Sequence, residues 1–202
     1  MVPSRLPFPK ALLFDMDGTI TKPMLDFPAI KAEMAIGSRP ILEAMAEMDQ
    51  ATRDEAQRVL DRHEDKAAAE SELNEGCSAL LEWMRVKRLP VALITRNSSQ
   101  SVMTVLKRHR LNFDTVIARE DGPFKPDPWS IRASCERLGV NCRDVWMIGD
   151  GRYDIEAGNA ADVVTVWISH ARERDFSSEP TAVARDLQAL LILLKQADPS
   201  QG

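Results

Sequence analysis

Short, largely apolar runs that alternate with helix-period segments constrain the fold of this chain more than any other feature. Each run is four to six residues long and is bounded by turn or charged residues, which is typical of strands buried in a parallel sheet. Between the runs, apolar residues recur at i, i+3, i+4 and i+7, as on one face of an amphipathic helix. The alternation predicts an α/β fold with a central parallel sheet. The predicted strands cover residues 11–14, 91–94, 115–118, 145–148 and 163–168.

The alternation is interrupted once, between residues 21 and 74. This span contains no convincing strand and is rich in Ala, Met, Glu and Arg, which favour helix. Gly37 is suited to end one helix, and Pro40 is suited to begin another. We therefore predict a helical insertion at 21–74, within an α/β core formed by residues 10–20 and 75–196.

The overall composition excludes several classes of protein. The chain has 202 residues, and its 26 Lys and Arg against 31 Asp and Glu give a net charge of −5, which argues against nonspecific binding to nucleic acid. No apolar run approaches the roughly 20 residues needed to span a bilayer. The three cysteines lack metal-binding spacing and suit a reducing compartment. We expect a cytoplasmic protein that binds neither nucleic acid nor a membrane.

Two carboxylates follow the first predicted strand. Asp15 comes directly after it and Asp17 two residues later, and Gly18 then allows the chain to turn sharply. Because ligands of open α/β sheets bind beyond the carboxyl ends of the strands, Asp15 would lie at a ligand-binding edge. Turn-forming and solvated aspartates would explain this segment equally well if it stood alone.

Other segments carry reactive side chains to the same predicted edge. Thr95, Arg96 and Asn97 follow the second strand at a predicted helix start, which suits an anion, although N-capping would also explain Thr95. Lys125 lies in a loop stiffened by prolines. Two further carboxylates follow the fourth strand. Carboxylates are ligands that Mg²⁺ prefers, commonly together with a phosphate. The second carboxylate pair consists of Asp150 and Asp154.

These four segments resemble, in order and at compatible spacing, the four motifs of the haloacid dehalogenase (HAD) superfamily, and within it the phosphoglycolate phosphatase-like branch. The resemblance covers about residues 10–169, and Asp15-Met16-Asp17-Gly18-Thr19 is its most specific part. The insertion stands where the family carries a helical cap. The resemblance implies a Rossmann-like three-layer core with a central parallel sheet and a small helical cap inserted after the first strand.

The resemblance also implies roles for the four aspartates. Asp15 would attack phosphorus and form an aspartyl-phosphate, and Asp17 would protonate the leaving oxygen and then activate water. Mg²⁺ would be held by Asp15, Asp150 and the main-chain carbonyl of Asp17. Asp154 would be a further ligand or would hold a metal-bound water.

The remaining site residues would bind the phosphoryl group of a small phosphorylated substrate. Thr95, Lys125 and the main-chain amides near Arg96 and Asn97 would hold the transferring oxygens, because such groups supply most of the catalysis in phosphoryl transfer. We expect the protein to act as a monomer or a weak dimer.

Asp17 favours phosphoryl chemistry, because the dehalogenases that share this motif lack an acid two residues after the nucleophile. We therefore expect a Mg²⁺-dependent hydrolase of a small phosphorylated metabolite, either phosphoglycolate-like or a sugar phosphate. Two alternatives stay open at this point: a phosphomutase with the same nucleophile, and a catalytically silent domain that binds a phosphorylated ligand or a protein partner.

Other conspicuous residues have structural interpretations. Residues 172–175 mix positive and negative charge, as is typical of a solvated loop. Tryptophans on the predicted core helices and strands are expected to pack. The four tryptophans are Trp83, Trp129, Trp146 and Trp167.

Overall fold

The computed structural model describes residues 6–201 and contains one six-stranded sheet. All neighbouring strands run parallel. The strands are β1 (Ala11–Phe14), β2 (Val91–Ile94), β3 (Thr115–Ile117), β4 (Val145–Gly149), β5 (Val164–Ile168) and β6 (Ala182–Ala184). Their order in the sheet is β3-β2-β1-β4-β5-β6. This arrangement confirms the predicted α/β class with a central parallel sheet.

Helices separate most of the strands along the chain, as the crossover connections of a parallel sheet require. They are α1 (Phe27–Glu33), α2 (Ile41–Ala46), α3 (Gln50–Glu70), α4 (Cys77–Lys87), α5 (Ser99–His109), α6 (Trp129–Leu138), α7 (Arg152–Ala160) and α8 (Leu187–Ala197). Helix α6 packs on β1, β2 and β3, helix α7 packs on β4 and β5, and α4 packs against α8. The core is the three-layer, Rossmann-like arrangement that the resemblance implies.

Strand β1 lies at the centre of the sheet, and its four side chains are fully buried. Successive side chains of a strand point to opposite faces. Leu13 joins the apolar cluster that includes Ile131 of α6 and Ala157 of α7, whereas Phe14 points to the other face. The strand pairs with β2 on one side and with β4 on the other. The carboxyl end of β1 is therefore the point where the strand order reverses, which is where open α/β sheets bind ligands.

Contacts between Cα atoms divide the chain into two compact units. Of the residues that the structure describes, the first contains 6–23, 72–96 and 112–201, and the second contains 24–71 and 97–111. The second unit is wholly helical: α1, α2 and α5 each pack against the long helix α3. It therefore includes α5, which follows β2 in the chain and which we assigned to the core. The boundaries at 21–74 and 75–196 stay a prediction.

Within the helical unit, local sequence signals explain where the helices begin. Asp26 and Asp49 are the N-caps of α1 and α3, and each side chain accepts a hydrogen bond from a main-chain amide three residues later. Pro40 precedes α2, as predicted. None of the helices among residues 6–201 is long and apolar enough to cross a membrane.

Candidate active site

Three aspartates converge at the carboxyl edge of the sheet. Asp15 follows β1, and its main-chain amide donates to the carbonyl of Ile148 in the neighbouring strand β4 at 2.9 Å. Asp150 follows β4, and Asp154 lies in the first turn of α7. One carboxylate oxygen of each aspartate lies within 4.8 Å of the others. Adjacent strand ends thus bring together three acidic groups from distant parts of the sequence.

Lys125 lies among these carboxylates. Its Nζ donates to Asp15 Oδ1 and to Asp154 Oδ1, each at 2.6 Å, and to the carbonyl of Ile94 at 2.9 Å. The side chain is only 2% exposed. A buried ammonium is tolerated only when it is paired and hydrogen-bonded, and here three acceptors meet that need. Lys125 therefore supplies a fixed positive charge inside the acidic cluster.

Burial and mutual repulsion govern the ionisation of this cluster. Burial raises the pKa of Asp15 well above its usual value, and the negative charge of Asp154 adds to this effect, while Lys125 opposes it. Burial and Asp154 also raise the pKa of Asp150. Burial alone would lower the pKa of Lys125, but Asp15 and Asp154 outweigh it and raise that pKa. Burial and mutual repulsion thus oppose the ionisation of Asp15 and Asp150, while Lys125 favours that of Asp15.

Two glycines allow the carboxylates to approach the main chain closely. A Cβ atom at Gly18 would lie 2.4 Å from Asp150 Oδ2, and a Cβ atom at Gly149 would lie 2.1 Å from Asp154 Cγ. Gly18 also has a φ of +79°, a left-handed conformation that side chains disfavour. Only glycine fits at these two positions while the aspartates keep their places.

Asp17 lies in the turn that follows Asp15, and two side chains hold this turn. Thr21 Oγ1 donates to Asp17 Oδ1 at 3.1 Å. The amide nitrogen of Asn74 lies 3.1, 2.8 and 3.0 Å from the carbonyl oxygens of Gly18, Thr19 and Thr21. Asn74 was not predicted as a site residue. Its contacts join the two segments that flank the helical insertion in the sequence.

The predicted phosphate-binding residues have different surroundings. Thr95 is buried after β2, and its amide donates to the carbonyl of Ile117 at 3.0 Å. Arg96 Nη1 donates to the carbonyl of Lys125, so this side chain reaches the loop that carries the buried lysine. Asn97 is the first residue of the second segment of the helical unit. Phosphate binding by these residues stays a prediction.

Strand β5 and the segment after it contribute contacts that the sequence interpretation missed. Arg172 Nη2 donates to Asp150 Oδ2 at 3.0 Å, although residues 172–175 were predicted to be a solvated loop. Trp167, predicted to pack, is buried and also donates from Nε1 to the carbonyl of Asp150 at 3.0 Å. His170 Nε2 donates to the carbonyl of Gly18 at 2.6 Å. These contacts arise because β5 lies next to β4 in the sheet, and the sequence alone does not show that order.

The acidic cluster suits a hard divalent cation. Mg²⁺ binds oxygen ligands and prefers carboxylates, and this cluster offers one oxygen from each of three aspartates in a buried, repulsive arrangement. A cation would offset both effects that raise the pKa values of Asp15 and Asp150, namely burial first and then repulsion between the carboxylates. The donor set therefore fits Mg²⁺.

An aspartate, a buried lysine and two further carboxylates thus meet at the switch point of a parallel sheet with a Rossmann-like core. The model of the haloacid dehalogenase-like hydrolases matches residues 9–162, which is more than half of the chain. The chain belongs to this family.

Relatives with assigned names extend over most of the chain. The phosphoglycolate phosphatase of Photobacterium profundum is 27% identical, with 93% of this chain and 96% of the relative covered. The phosphoglycolate phosphatase of Pseudomonas putida is 29% identical, with 96% and 82% covered. A haloacid dehalogenase-like hydrolase domain-containing protein of Arabidopsis thaliana is 27% identical, with 77% and 69% covered.

Solved structures agree with the fold. A hydrolase from Pseudomonas syringae superimposes with a TM-score of 0.77 at 18% identity, covering 92% of this chain and 97% of that one. A Thermotoga maritima protein provisionally named β-phosphoglucomutase superimposes with a TM-score of 0.69 at 21% identity, covering 91% and 97%. At these identities the similarity concerns the fold alone.

Proposed function

We propose that this protein is a Mg²⁺-dependent phosphatase that hydrolyses a small phosphorylated metabolite through an aspartyl-phosphate on Asp15. The observation that carries the proposal is the cluster of Asp15, Asp150 and Asp154 around the buried ammonium of Lys125. A phosphate monoester is a dianion and repels a carboxylate nucleophile. The attack of Asp15 on phosphorus therefore requires positive charge beside the carboxylate and the phosphoryl group.

Asp15 performs the first step. One of its carboxylate oxygens forms a bond to phosphorus while the bond from phosphorus to the leaving oxygen breaks. Asp17 donates a proton to that leaving oxygen. Asp17 then accepts a proton from water as the water oxygen attacks phosphorus, which releases inorganic phosphate and regenerates Asp15. The hydrogen bond from Thr21 to Asp17 Oδ1 fixes the orientation of this acid and base.

The other residues bind charge. Asp15, Asp150 and the main-chain carbonyl of Asp17 would hold Mg²⁺, with Asp154 as a further ligand. The bound cation supplies shielding of the negative charges on nucleophile and substrate. Thr95, Lys125 and the main-chain amides near Arg96 and Asn97 hold the transferring oxygens. The ammonium of Lys125 already lies 2.6 Å from Asp15 Oδ1, so it is next to the attacking carboxylate.

The substrate class that we propose is a phosphoglycolate-like acid or a sugar phosphate. Relatives named phosphoglycolate phosphatase, which align with more than nine-tenths of this chain, support the first of these. We propose a cytoplasmic location, which the three free cysteines support. A monomer or a weak dimer is the expected state in solution.

Phosphate release from a panel of phosphorylated metabolites tests the proposal. The panel includes phosphoglycolate and sugar phosphates, each assayed with Mg²⁺ and with EDTA, for the wild type and for Asp15→Asn. We expect metal-dependent release from the wild type and none from the variant. Isomer interconversion that requires a bisphosphate activator, without net release, would instead indicate a phosphomutase. Neither activity from a folded, Mg²⁺-binding protein would indicate a silent binding domain.

A further inference from the structure

The side chain of Arg96 connects three segments at the carboxyl edge of the sheet. Its Cζ atom lies 4.8 Å from the ring centroid of Phe124 and 4.1 Å from that of Tyr153. Its Nη1 donates to the carbonyl oxygen of Lys125. The main chain of Arg96 is held as well, because Arg119 Nη1 donates to its carbonyl oxygen at 3.3 Å. The guanidinium is thus packed against two rings and bonded to the main chain of a third residue.

Each partner of this guanidinium adjoins a residue of the proposed site. Phe124 directly precedes Lys125, and Tyr153 directly precedes Asp154. The guanidinium of Arg96 therefore contacts the residue before Lys125 and the residue before Asp154. Arg96 itself is the residue after the buried Thr95, at the end of β2.

We infer that the Arg96 side chain is a positioning residue, which holds the Lys125 loop against the first turn of α7. The two segments that it contacts carry the two groups that meet at 2.6 Å, Lys125 Nζ and Asp154 Oδ1. The inference rests on the proposed function for its effect on catalysis. It goes beyond that function, in which Arg96 contributes only main-chain amide groups.

The chemistry of the guanidinium explains why arginine suits this place. Its planar face stacks on aromatic rings, while its N–H groups donate within the plane to a carbonyl. A lysine would keep the positive charge but would lose both the stacking and the fixed direction of the N–H groups. Substitution of a direct phosphate ligand would leave the mobility of the Lys125 loop and of the first turn of α7 unchanged in the absence of substrate, so that mobility separates the two roles.

The kinetic test uses Arg96→Lys and Arg96→Gln with p-nitrophenyl phosphate and Mg²⁺. Since a misplacement of about 1 Å can cost about 100-fold in rate, we expect both variants to lose about 10- to 100-fold in kcat, with KM changed less than about threefold. Arg132→Gln is the matched control, because Arg132 Nη2 also donates to a carbonyl, that of Ala160, at 2.8 Å. A lysine variant with the wild-type kcat, or a loss confined to KM, would overturn the inference.

Hydrogen–deuterium exchange provides a readout that needs neither substrate nor metal. We expect residues 122–128 and 151–155 to exchange faster in Arg96→Gln than in the wild type and in Arg132→Gln. Unchanged exchange in both segments would overturn the inference, whatever the activity. If the wild type hydrolyses no phosphate ester, the proposed function fails, while the exchange data still decide whether Arg96 orders these loops.

A second variant covers the case in which the substitutions at Arg96 prevent folding. Phe124→Leu removes one ring of the stack and leaves the guanidinium in place. We expect it to lower kcat and to speed exchange in the same two segments, by less than Arg96→Gln would. Exchange and kcat equal to those of the wild type would show that the stack does not position Lys125.

Discussion

At the scale of single residues, the site depends on close approach as much as on charge. Gly18 combines a left-handed φ of +79° with a position against the Asp150 carboxylate, where a Cβ atom would lie 2.4 Å from Oδ2. Gly139 ends α6 with a similar φ of +67°, but a Cβ atom there would meet no atom within 4 Å. The two glycines share the left-handed backbone conformation, but only Gly18 is crowded by an aspartate. Comparing alanine substitutions at the two positions therefore separates the effect of backbone strain from the effect of displacing Asp150.

We expect Gly18→Ala and Gly139→Ala each to lose about 1 kcal/mol of unfolding free energy to left-handed strain, with further loss at Gly18 from crowding. Only Gly18→Ala should weaken Mg²⁺ binding, because only there must Asp150 move. Titration calorimetry with Mg²⁺ measures this difference directly. Equal Mg²⁺ affinities in the two variants would show that Asp150 takes no part in the metal site.

Lys125→Met should affect both catalysis and stability. The variant loses a charge that faces the transferring group, so we expect kcat to fall about 100- to 1000-fold. It also leaves Asp15 and Asp154 buried without their cation, so its melting temperature in EDTA should fall, and Mg²⁺ should raise it more than in the wild type. Lys10→Met is the control, because Lys10 pairs with Asp144 at the exposed surface. A larger effect of Mg²⁺ on the wild type would contradict this account.

Site residues that belong to a local sequence pattern could be predicted. Residues that reach the site only through the order of the strands in the sheet could not. Asp15 and Asp150 each follow an apolar strand, and that pattern alone predicted the edge at which they converge. Arg172 and Asn74 lie in segments with ordinary local composition. Arg172 reaches Asp150 only because β5 pairs with β4, and no pattern along the chain encodes that pairing.

At the scale of elements, the strands with buried side chains were predictable. The predicted strands at 11–14 and 91–94 match β1 and β2, because both are apolar throughout and bounded by turn-forming, charged or polar residues. Strand β6 was missed. It has three residues, only Ala184 of them is buried, and Val183 is 53% exposed, so it leaves no apolar run to detect. Its strand conformation comes from pairing with β5 at the edge of the sheet.

Burial predicts how much single side chains of these strands contribute to stability. Leu13 of β1 is fully buried in the cluster beneath α6 and α7, so Leu13→Ala should lower the unfolding free energy by about 2–5 kcal/mol. Val183 of β6 is exposed, so Val183→Ala should change it by less than about 0.5 kcal/mol. Urea denaturation measures both values. A similar loss in the two variants would contradict the assignment of β1 to the centre of the core.

At the scale of the whole molecule, contacts over long sequence distances hold the first compact unit together. Helix α8, near the end of the chain, packs against α4. Lys87 Nζ of α4 lies 2.5 Å from Oδ2 of Asp198, the residue that follows α8. The pKa of Asp198 is lowered to about 2, chiefly by the hydrogen bond from Lys87 and then by that from the main-chain amide of Ser200. A group with a lowered pKa in the folded state stabilises that state above its ordinary pKa of 3.8.

Lys87→Met should therefore lower the urea midpoint at pH 7. The difference from the wild type should shrink as the pH falls from 3.8 towards 2, because Asp198 then takes up a proton and the pair is lost. Lys22→Met is the control, since Lys22 pairs with Glu72 where both side chains are at least half exposed. A difference between Lys87→Met and the wild type that stays constant down to pH 2 would contradict the pairing.

The sequence predicted a helical insertion after the first strand, and α1, α2 and α3 lie in that span. It did not predict that α5 would group with them. Helix α5 follows β2 as a crossover helix of a parallel sheet would, and its packing against α3 involves residues some forty positions apart. Helix periodicity identifies an apolar face but not the helix that covers it.

The central claim is that Asp15 is the nucleophile, and trapping the intermediate tests it most directly. In Asp17→Asn the second step lacks its base, whereas p-nitrophenyl phosphate has a leaving group that departs without a proton from Asp17. Phosphorylated enzyme should therefore accumulate when this substrate and Mg²⁺ are added and the reaction is quenched in acid. Peptide mass spectrometry should find the phosphoryl group on Asp15, removable by hydroxylamine, and absent with EDTA or in Asp15→Asn. Phosphate release by the wild type with a phosphoryl group on another residue, or on none, would contradict the account.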